Sequence, residues 1–173
     1  PDTGPGLTDA GKRLVRECNT LKILIDLSHM NEEGFNDVAA LSDAPLVATH
    51  SNAHALCASS RNLTDRQLDM IRDSGGMVGL NFAVSFLNAD GRRDAGCGFE
   101  PMLRHLDHLI GRLGEDHVGL GSDFDGAEIP EVIGDVTGLP RLVEAMRAHG
   151  YDAPLIDKLC HGNWLATIER VIG

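Results

Sequence analysis

The sequence Ile-Leu-Ile-Asp-Leu-Ser-His at residues 23–29 contains the pattern that decides the fold. A short apolar run, rich in residues that favour β-strands, ends in a polar pair, and a helical pattern follows it. The same order recurs at residues 46–50, 77–82 and 117–123. Such an alternation of strand and helix predicts an α/β fold with a parallel sheet. Apolar runs without strict alternation are typical of strands that are buried on both faces.

The helical segments are marked by their capping residues. Thr8 predicts the start of a helix that ends at about Thr20, and Thr64 with Gln67 forms the S/T-x-x-E/Q pattern of a capping box. Four strand–helix units form either a small open sheet or part of a (β/α)8 barrel, and periodicity alone does not choose between them. Residues 1–173 are therefore interpreted as one segment. Helices are predicted at about residues 8–20, 31–41, 64–74, 101–113, 139–149 and 153–171.

Composition and charge exclude several classes of protein. The chain has 173 residues, with 15 Lys and Arg against 26 Asp and Glu, so its formal net charge is −11. This acidic balance argues against binding to nucleic acid or to an anionic membrane, because both require a basic face. The least polar stretch, residues 75–87, is shorter than the roughly 20 apolar residues that span a bilayer. Four scattered cysteines are typical of free thiols, and no hydrophobic tail follows Gly173, so we expect a cytoplasmic protein without a membrane anchor.

Three of the four apolar runs end in a residue that can bind a metal or transfer a proton. His29, His50 and Asp123 hold these positions. In parallel α/β folds the carboxyl ends of the strands meet at one edge, so these side chains are expected to face a common centre. Two imidazoles and a carboxylate are suitable ligands for zinc. One such histidine alone is more often a hydrogen-bonded polar residue, and it is the repetition at three strand ends that favours a site.

Other polar residues allow two interpretations each. Asp26, inside the first apolar run, either orients a metal-binding histidine from behind or faces the edge of the sheet. Arg61 lies in the loop after the second run. It is either a solvated surface charge or a guanidinium that holds a substrate carboxylate. The group His105, Asp107 and His108 falls within a predicted helix, where an exposed helix face is expected.

Several motifs resemble, in order, those of the membrane (renal) dipeptidases, a family of zinc dipeptidases. They cover almost the whole chain, and their separations suit the family. The motifs are Gly6-Leu7-Thr8…Gly11, Ile25-Asp26-Leu27-Ser28-His29, Thr49-His50-Ser51-Asn52-Ala53, Arg61-Asn62-Leu63-Thr64-Asp65, Gly121-Ser122-Asp123-Phe124-Asp125-Gly126 and Gly162-Asn163-Trp164-Leu165.

The resemblance implies a fold, an activity and a set of site residues. The fold is a metal-dependent amidohydrolase-like (β/α)8 TIM barrel with two zinc ions at its carboxyl-terminal mouth, and the activity is hydrolysis of the peptide bond of dipeptides. His29 and His50 would correspond to the two histidines that bind one zinc ion. Arg61 would match the arginine that holds the carboxylate of the dipeptide. Asp123 would match the acidic residue near the scissile bond and the substrate amine.

The chain lacks part of the family's pattern. The family's His-x-Asp pair, its bridging Glu and its oxyanion-stabilising His are expected before residue 1. The chain therefore resembles the C-terminal half of the barrel, with about four βα units, and the N-terminal half is its expected partner. A homodimer is a further expectation. The alternatives are another metal-dependent amidohydrolase on the same barrel, or a non-catalytic α/β binding module.

Overall fold

A computed structural model describes residues 4–173, so residues 1–3 of the expected segment lie outside the described residues. Helices and short parallel strands alternate over most of this range, as the sequence predicts. The elements are α1 (Asp9–Thr20), α2 (Glu32–Leu41), β1 (Val47–Ala48), α3 (Asp65–Asp73), β2 (Met77–Leu80), α4 (Val84–Leu87), α5 (Glu100–Leu113), β3 (Val118–Leu120), α6 (Leu139–His149), α7 (Ala153–Asp157) and α8 (Asn163–Ile172). Two turns of 3-10 helix (Glu115–His117 and Val136–Gly138) and one turn of π-helix (Lys158–Gly162) complete them.

The three strands form a parallel sheet in the order β1-β2-β3. Every residue of β1 and β2 is buried, which is the pattern expected of a sheet covered on both faces. The strands are short, and the polar residues that follow them lie at the same edge of the sheet. This edge carries the candidate site.

The first apolar run, residues 23–27, does not form a full strand. It contributes one parallel bridge, between Asp26 and Val47, and one backbone hydrogen bond, from Leu27 N to Val47 O. The expectation of a strand here is wrong. The carboxylate of Asp26 accepts hydrogen bonds from the backbone N–H groups of Ser28 and Thr49, at 2.9 Å each. The N–H of Thr49 therefore donates to a side chain and not to a backbone carbonyl of the first run, which interrupts the pairing of strands.

The structure confirms the two predicted caps, Thr8 and Thr64, and divides the helix that was predicted at the end of the chain. Thr8, Asn31 and Thr64 each cap a helix, and both hydrogen bonds of the Thr64–Gln67 capping box are present. The helix predicted over residues 153–171 is instead α7, the π-turn and α8. A π-turn holds an extra residue and so rotates α8 relative to α7, and it is here that Asn163 donates to the carbonyls of the segment leading into β3.

No helix within residues 4–173 is long and apolar enough to cross a bilayer.

Candidate functional site

His29 and His50 meet at the carboxyl edge of the sheet. Their Nε2 atoms lie 2.9 Å apart, and the rings contact edge to face with centroids 5.0 Å apart. The Nη2 of Arg61 lies 2.8 Å from the same Nε2 of His29. Since a guanidinium can only donate, the His29 Nε2 accepts from Arg61 and carries no proton. Burial, followed by Arg61 and His50, lowers the pKa of His29, which favours the neutral imidazole that binds metals.

The backbone at two of the predicted site residues is unusual. His29 has φ +72° and Asp123 has φ +59°, both in the left-handed region that residues other than glycine rarely adopt. Such conformations persist only where surrounding contacts hold them, and they concentrate at functional sites. Both residues come directly after the segments that form the sheet edge, so the left-handed turn redirects the chain at the edge itself.

A chain of hydrogen bonds orients His50 from behind. The Thr49 hydroxyl lies 2.5 Å from Asp26 Oδ2 and 2.6 Å from His50 Nδ1. Burial by itself raises the pKa of Asp26, but hydrogen bonds from Thr49 and Ser28 hold this pKa below its ordinary value. Because the ionised Asp26 can only accept, Thr49 donates to it and accepts the Nδ1–H of His50. In the neutral ring, the Nε2 of His50 is therefore the unprotonated nitrogen. Asp26 lies behind His50 and orients it through Thr49, which agrees with the first of the two interpretations of Asp26.

Arg61 is half-buried in the loop between β1 and α3, so its interpretation as a freely solvated charge is not supported. Its guanidinium lies over the Phe86 ring, with Cζ 5.2 Å from the centroid. The Nη1 atom is buried and has no hydrogen-bond partner within residues 4–173. Burial lowers the pKa of Arg61, and the nearby carboxylates of Asp123 and Asp26 raise it again. An arginine that is held by an aromatic ring in the wall of a cavity is suited to bind an anion.

Asp123 faces the same cavity as His29 and Arg61. Its Oδ2 accepts a hydrogen bond of 3.0 Å from the side-chain amide of Asn81. The cavity has a volume of about 360 Å3. A second cavity, of about 330 Å3, also has His29 and Arg61 in its wall. The residues that line the first are His29, Arg61, Ala83, Val84, Ser85, Phe86, Arg93, Asp123, Gly126, Ala127 and Glu128.

The imidazole pair fits a metal, but not as a complete site. The Nε2 atoms of His29 and His50 lie 2.9 Å apart, on the same side of the site. Two zinc–nitrogen bonds at a tetrahedral angle would separate the nitrogens by about 3.3 Å, close to this distance. Within the part of the chain that the structure describes, no three His, Cys, Asp or Glu side chains are grouped to hold a metal ion. The chain therefore brings together two imidazoles, a side-chain type that zinc prefers.

The structure brings together all four residues that the sequence predicts for the site, and their roles stay predictions. One expectation nearby is wrong: His105 does not lie on an exposed helix face but is 1% exposed. Its Nδ1 accepts the Ala53 N–H at 3.1 Å and its Nε2 lies 3.2 Å from Leu87 O, because α4 and the loop after His50 pack against this side of α5. Asn81 was not predicted as a site residue, although its place at the end of the third apolar run was the available signal.

Comparisons with known proteins show which family this chain is similar to. The sequence model of the membrane dipeptidase family, peptidase family M19, matches residues 2–172. A crystal structure of the dipeptidase AC, a metallopeptidase of family M19, is 74% identical with a TM-score of 0.99, and the match covers 100% of this chain and 51% of that one. A metallopeptidase from Rhodobacter sphaeroides, solved with a phosphinate mimic of the dipeptide L-Ala-D-Ala, is also 74% identical with a TM-score of 0.97, covering 99% and 49%. The dipeptidase tcpJ of Claviceps purpurea (strain 20.1) is 33% identical over 167 residues, which are 96% of this chain and 39% of tcpJ.

The chain thus spans about half of the length of the solved structures that it resembles. Its α/β fold is shared with dipeptidases of family M19, as the sequence predicts.

Proposed function

The chain belongs to the membrane dipeptidase family, peptidase family M19, and from this premise we propose that the protein containing it is a zinc-dependent dipeptidase. The observation that carries the proposal is the meeting of His29, Arg61 and Asp123 in the wall of one cavity of about 360 Å3, with the Nε2 of His50 2.9 Å from that of His29. Similarity to dipeptidases of the family supports the reaction class. Because the chain spans about half of these relatives, the active protein would include further residues, and the N-terminal half of the same barrel is the partner that we propose.

His29 and His50 would hold one zinc ion through their Nε2 atoms. The hydrogen-bond chain from Asp26 through Thr49 supports this role for His50, since it keeps the proton on Nδ1. A second zinc ion and the remaining ligands would require residues outside this chain. When bound, a zinc pair lowers the pKa of a water molecule and polarises the carbonyl of the substrate.

Two opposite charges on the cavity wall match the two ends of a dipeptide. Arg61 would bind the terminal carboxylate, and its place in the wall of the same cavity as Asp123 supports this role. Asp123 would bind the free amine. The two terminal charges of a longer peptide lie farther apart than those of a dipeptide. Binding of both charges in one cavity would therefore restrict the substrate to dipeptides.

Asp123 would also transfer the proton during hydrolysis. As the oxygen of water forms its bond to the carbonyl carbon, the Asp123 carboxylate accepts the proton of that water. It then donates this proton to the nitrogen of the breaking C–N bond, so that the products are two amino acids. The Asn81 bond to Oδ2 leaves Oδ1 for this exchange.

The proposal is tested with the full-length protein, zinc and L-Ala-D-Ala as substrate. We expect Arg61→Lys to raise KM about 10- to 100-fold, because an ammonium loses the fork that binds a carboxylate through two bonds. Arg92→Lys is the matched control, since Arg92 is an exposed arginine paired with Asp90. An N-acetylated dipeptide and a tripeptide should be poor substrates.

Two outcomes would contradict this reading. Unchanged dipeptide turnover in Arg61→Ala would favour another metal-dependent amidohydrolase, and a full-length protein that binds no metal would favour a non-catalytic module. The homodimer and the cytoplasmic location stay predictions. Gel filtration of the full-length protein tests the first, and cell fractionation tests the second.

A further inference from the structure

Asn81 occupies the end of the central strand, between the strand ends that carry His50 and Asp123. It is 1% exposed. Its Oδ1 accepts the Ala83 N–H at 2.7 Å, and this bond fixes which end of the amide is which. The Nδ2 therefore points the other way, 3.0 Å from Asp123 Oδ2 and 3.3 Å from the His50 carbonyl. One side chain ties the central strand to both of its neighbours at the site.

The backbone of Asn81 is fixed as firmly as its side chain. Its N–H donates to Asn52 Oδ1 and its carbonyl accepts from Asn52 Nδ2, at 2.9 Å each, and Asn52 is fully buried. The Nδ2 of Asn81, which donates to Asp123, thus belongs to a hydrogen-bond network. Every polar atom of the Asn81 side chain has a partner in this network. Such networks hold their members in one geometry.

Asp123 is held less firmly by its own segment. Its backbone is left-handed, and its side chain is part-exposed. Within residues 4–173, the carboxylate accepts a side-chain hydrogen bond from the amide of Asn81. On the other side Oδ1 lies against Gly126, where a Cβ would overlap it. The hydrogen bond from Asn81 thus fixes Oδ2 of the carboxylate. Oδ1 fits beside residue 126 because that residue is a glycine and has no side chain.

We propose that Asn81 is a positioning residue for dipeptide hydrolysis: it holds Oδ2 of Asp123 so that Oδ1 faces the substrate. This inference rests on the proposed function. Asn81 itself touches neither the substrate nor the attacking water, and it acts through the direction of the Asp123 carboxylate. A small displacement of a reacting group costs up to about 100-fold in rate, which sets the size of the expected effect.

A double-mutant cycle in the full-length protein separates positioning from general stability. Asn81→Ala should lower kcat/KM for L-Ala-D-Ala about 10- to 100-fold. In an Asp123→Ala background the same change should cost less than about 2-fold, because the group that it positions is gone. The affinity for a phosphinate mimic of L-Ala-D-Ala, measured by calorimetry, gives the same cycle where Asp123→Ala has no measurable turnover. Metal content is measured for each variant.

The matched control is Asn163→Ala. Asn163 is also a buried asparagine, and its amide donates to the carbonyls of Glu115 and Val118, at the opposite end of β3. This variant should lose thermal stability, because two buried acceptors lose their donor, while kcat/KM changes less than about 2-fold.

Gly126→Ala tests the same carboxylate from its other oxygen, in a chain whose folding is not at risk because Gly126 is exposed. The new methyl group should push Oδ1 aside and lower kcat/KM about 10-fold or more, again with little effect in the Asp123→Ala background. Gly111→Ala is its control: Gly111 lies within α5 with nothing near its missing Cβ, so activity should not change.

The outcomes are distinguishable. Losses that are equal in both backgrounds, or no loss from Asn81→Ala and Gly126→Ala, overturn the role of Asn81 and leave the dipeptidase proposal intact. A wild-type protein that hydrolyses no dipeptide overturns the proposed function. The calorimetric cycle then still reports whether Asn81 and Asp123 act together on the ligand.

Discussion

At the scale of single residues, the neutrality of His105 is part of how the loop after His50 is held. The buried ring accepts the N–H of Ala53 at Nδ1, so the proton of the neutral ring is on Nε2, which donates to the carbonyl of Leu87. A second proton would place an N–H against the N–H of Ala53. Burial accordingly lowers the pKa of His105 to about 4, and the hydrogen bond to Leu87 offsets only part of that shift.

We expect this histidine to make the protein sensitive to acid. Its folded pKa of about 4 lies below the usual value of about 6.5, so between these values the unfolded chain binds a proton that the folded chain does not. The free energy of unfolding should therefore fall by about 2 kcal/mol from pH 7 to pH 5 on account of His105. Urea unfolding of the full-length protein at both pH values measures it.

His105→Gln should remove most of this difference between the two pH values, whatever its effect on stability at pH 7. His108→Gln is the control on the same helix, because His108 is part-exposed and bonded to the Asp65 carboxylate. The idea fails if both variants lose the same amount of free energy on going to pH 5.

The site residues could be predicted from the sequence where chain topology alone decides their position. His29, His50 and Asp123 end three of the four apolar runs, and parallel strands bring such ends to one edge. His105 could not be predicted in the same way. Whether a residue of an amphipathic helix is covered depends on the elements that pack beside that helix, and the short helix α4 that covers His105 has no capping signal.

At the scale of elements, the loop that carries Arg61 is anchored at its end by a helix start. Thr64 accepts from the backbone of Gln67, and Gln67 returns a bond to the Thr64 N–H. Earlier in the loop, Asn62 donates to the carbonyls of Cys57 and Phe86. Arg61 directly precedes both anchors, so the hydrogen bonds of the residues that follow it help to fix its position.

Thr64→Ala should lower the free energy of unfolding by about 1 kcal/mol, the typical cost of losing an N-cap, as measured by denaturant unfolding. Thr20→Ala is the matched control. Thr20 lies in the exposed last turn of α1, where alanine is the better helix former, and its loss should change stability by less than about 0.5 kcal/mol. Equal losses in the two variants would contradict a specific role for the capping box.

Some of the helices and strands could be predicted from the local sequence, whereas others depend on contacts with distant residues. The helices capped by Thr8, Asn31 and Thr64 start where the sequence predicts, because a cap is a local interaction. The first apolar run and the π-turn do not follow from local pattern. The former depends on a carboxylate that replaces a backbone acceptor, and the latter on where Asn163 and Trp164 find partners in β3.

At the scale of the whole molecule, an apolar helix face and a strand edge have no partner within residues 4–173. Leu165, Ile168 and Ile172 lie on one face of α8 and are 58%, 41% and 55% exposed. The end of α8 approaches the segment after α1, where Lys22 Nζ donates to Gly173 O, so Ile23, which is 51% exposed, lies near the same surface. Among the described residues, the outer edge of β3 also pairs with no strand.

Exposed sheet edges and large apolar faces favour association, so we expect the 173-residue chain alone to self-associate. Light scattering after gel filtration should give a mass well above 18.5 kDa. A double variant, Leu165→Lys with Ile168→Lys, should reduce that mass, because charge on the α8 face opposes contact between copies. Val136→Lys, at an equally exposed residue outside α8, should leave it unchanged.

Extension of the chain by the residues that precede it in the gene should have the same effect as the charged variant, if those residues cover the α8 face and pair with β3. The mass per chain would then correspond to one defined species, and metal binding would appear only in the extended protein, since this chain alone offers two imidazole ligands. A 173-residue chain that is monomeric, unfolds cooperatively and gains nothing from the extension would support an independent α/β module instead. The two readings thus differ in one measurement that needs no substrate.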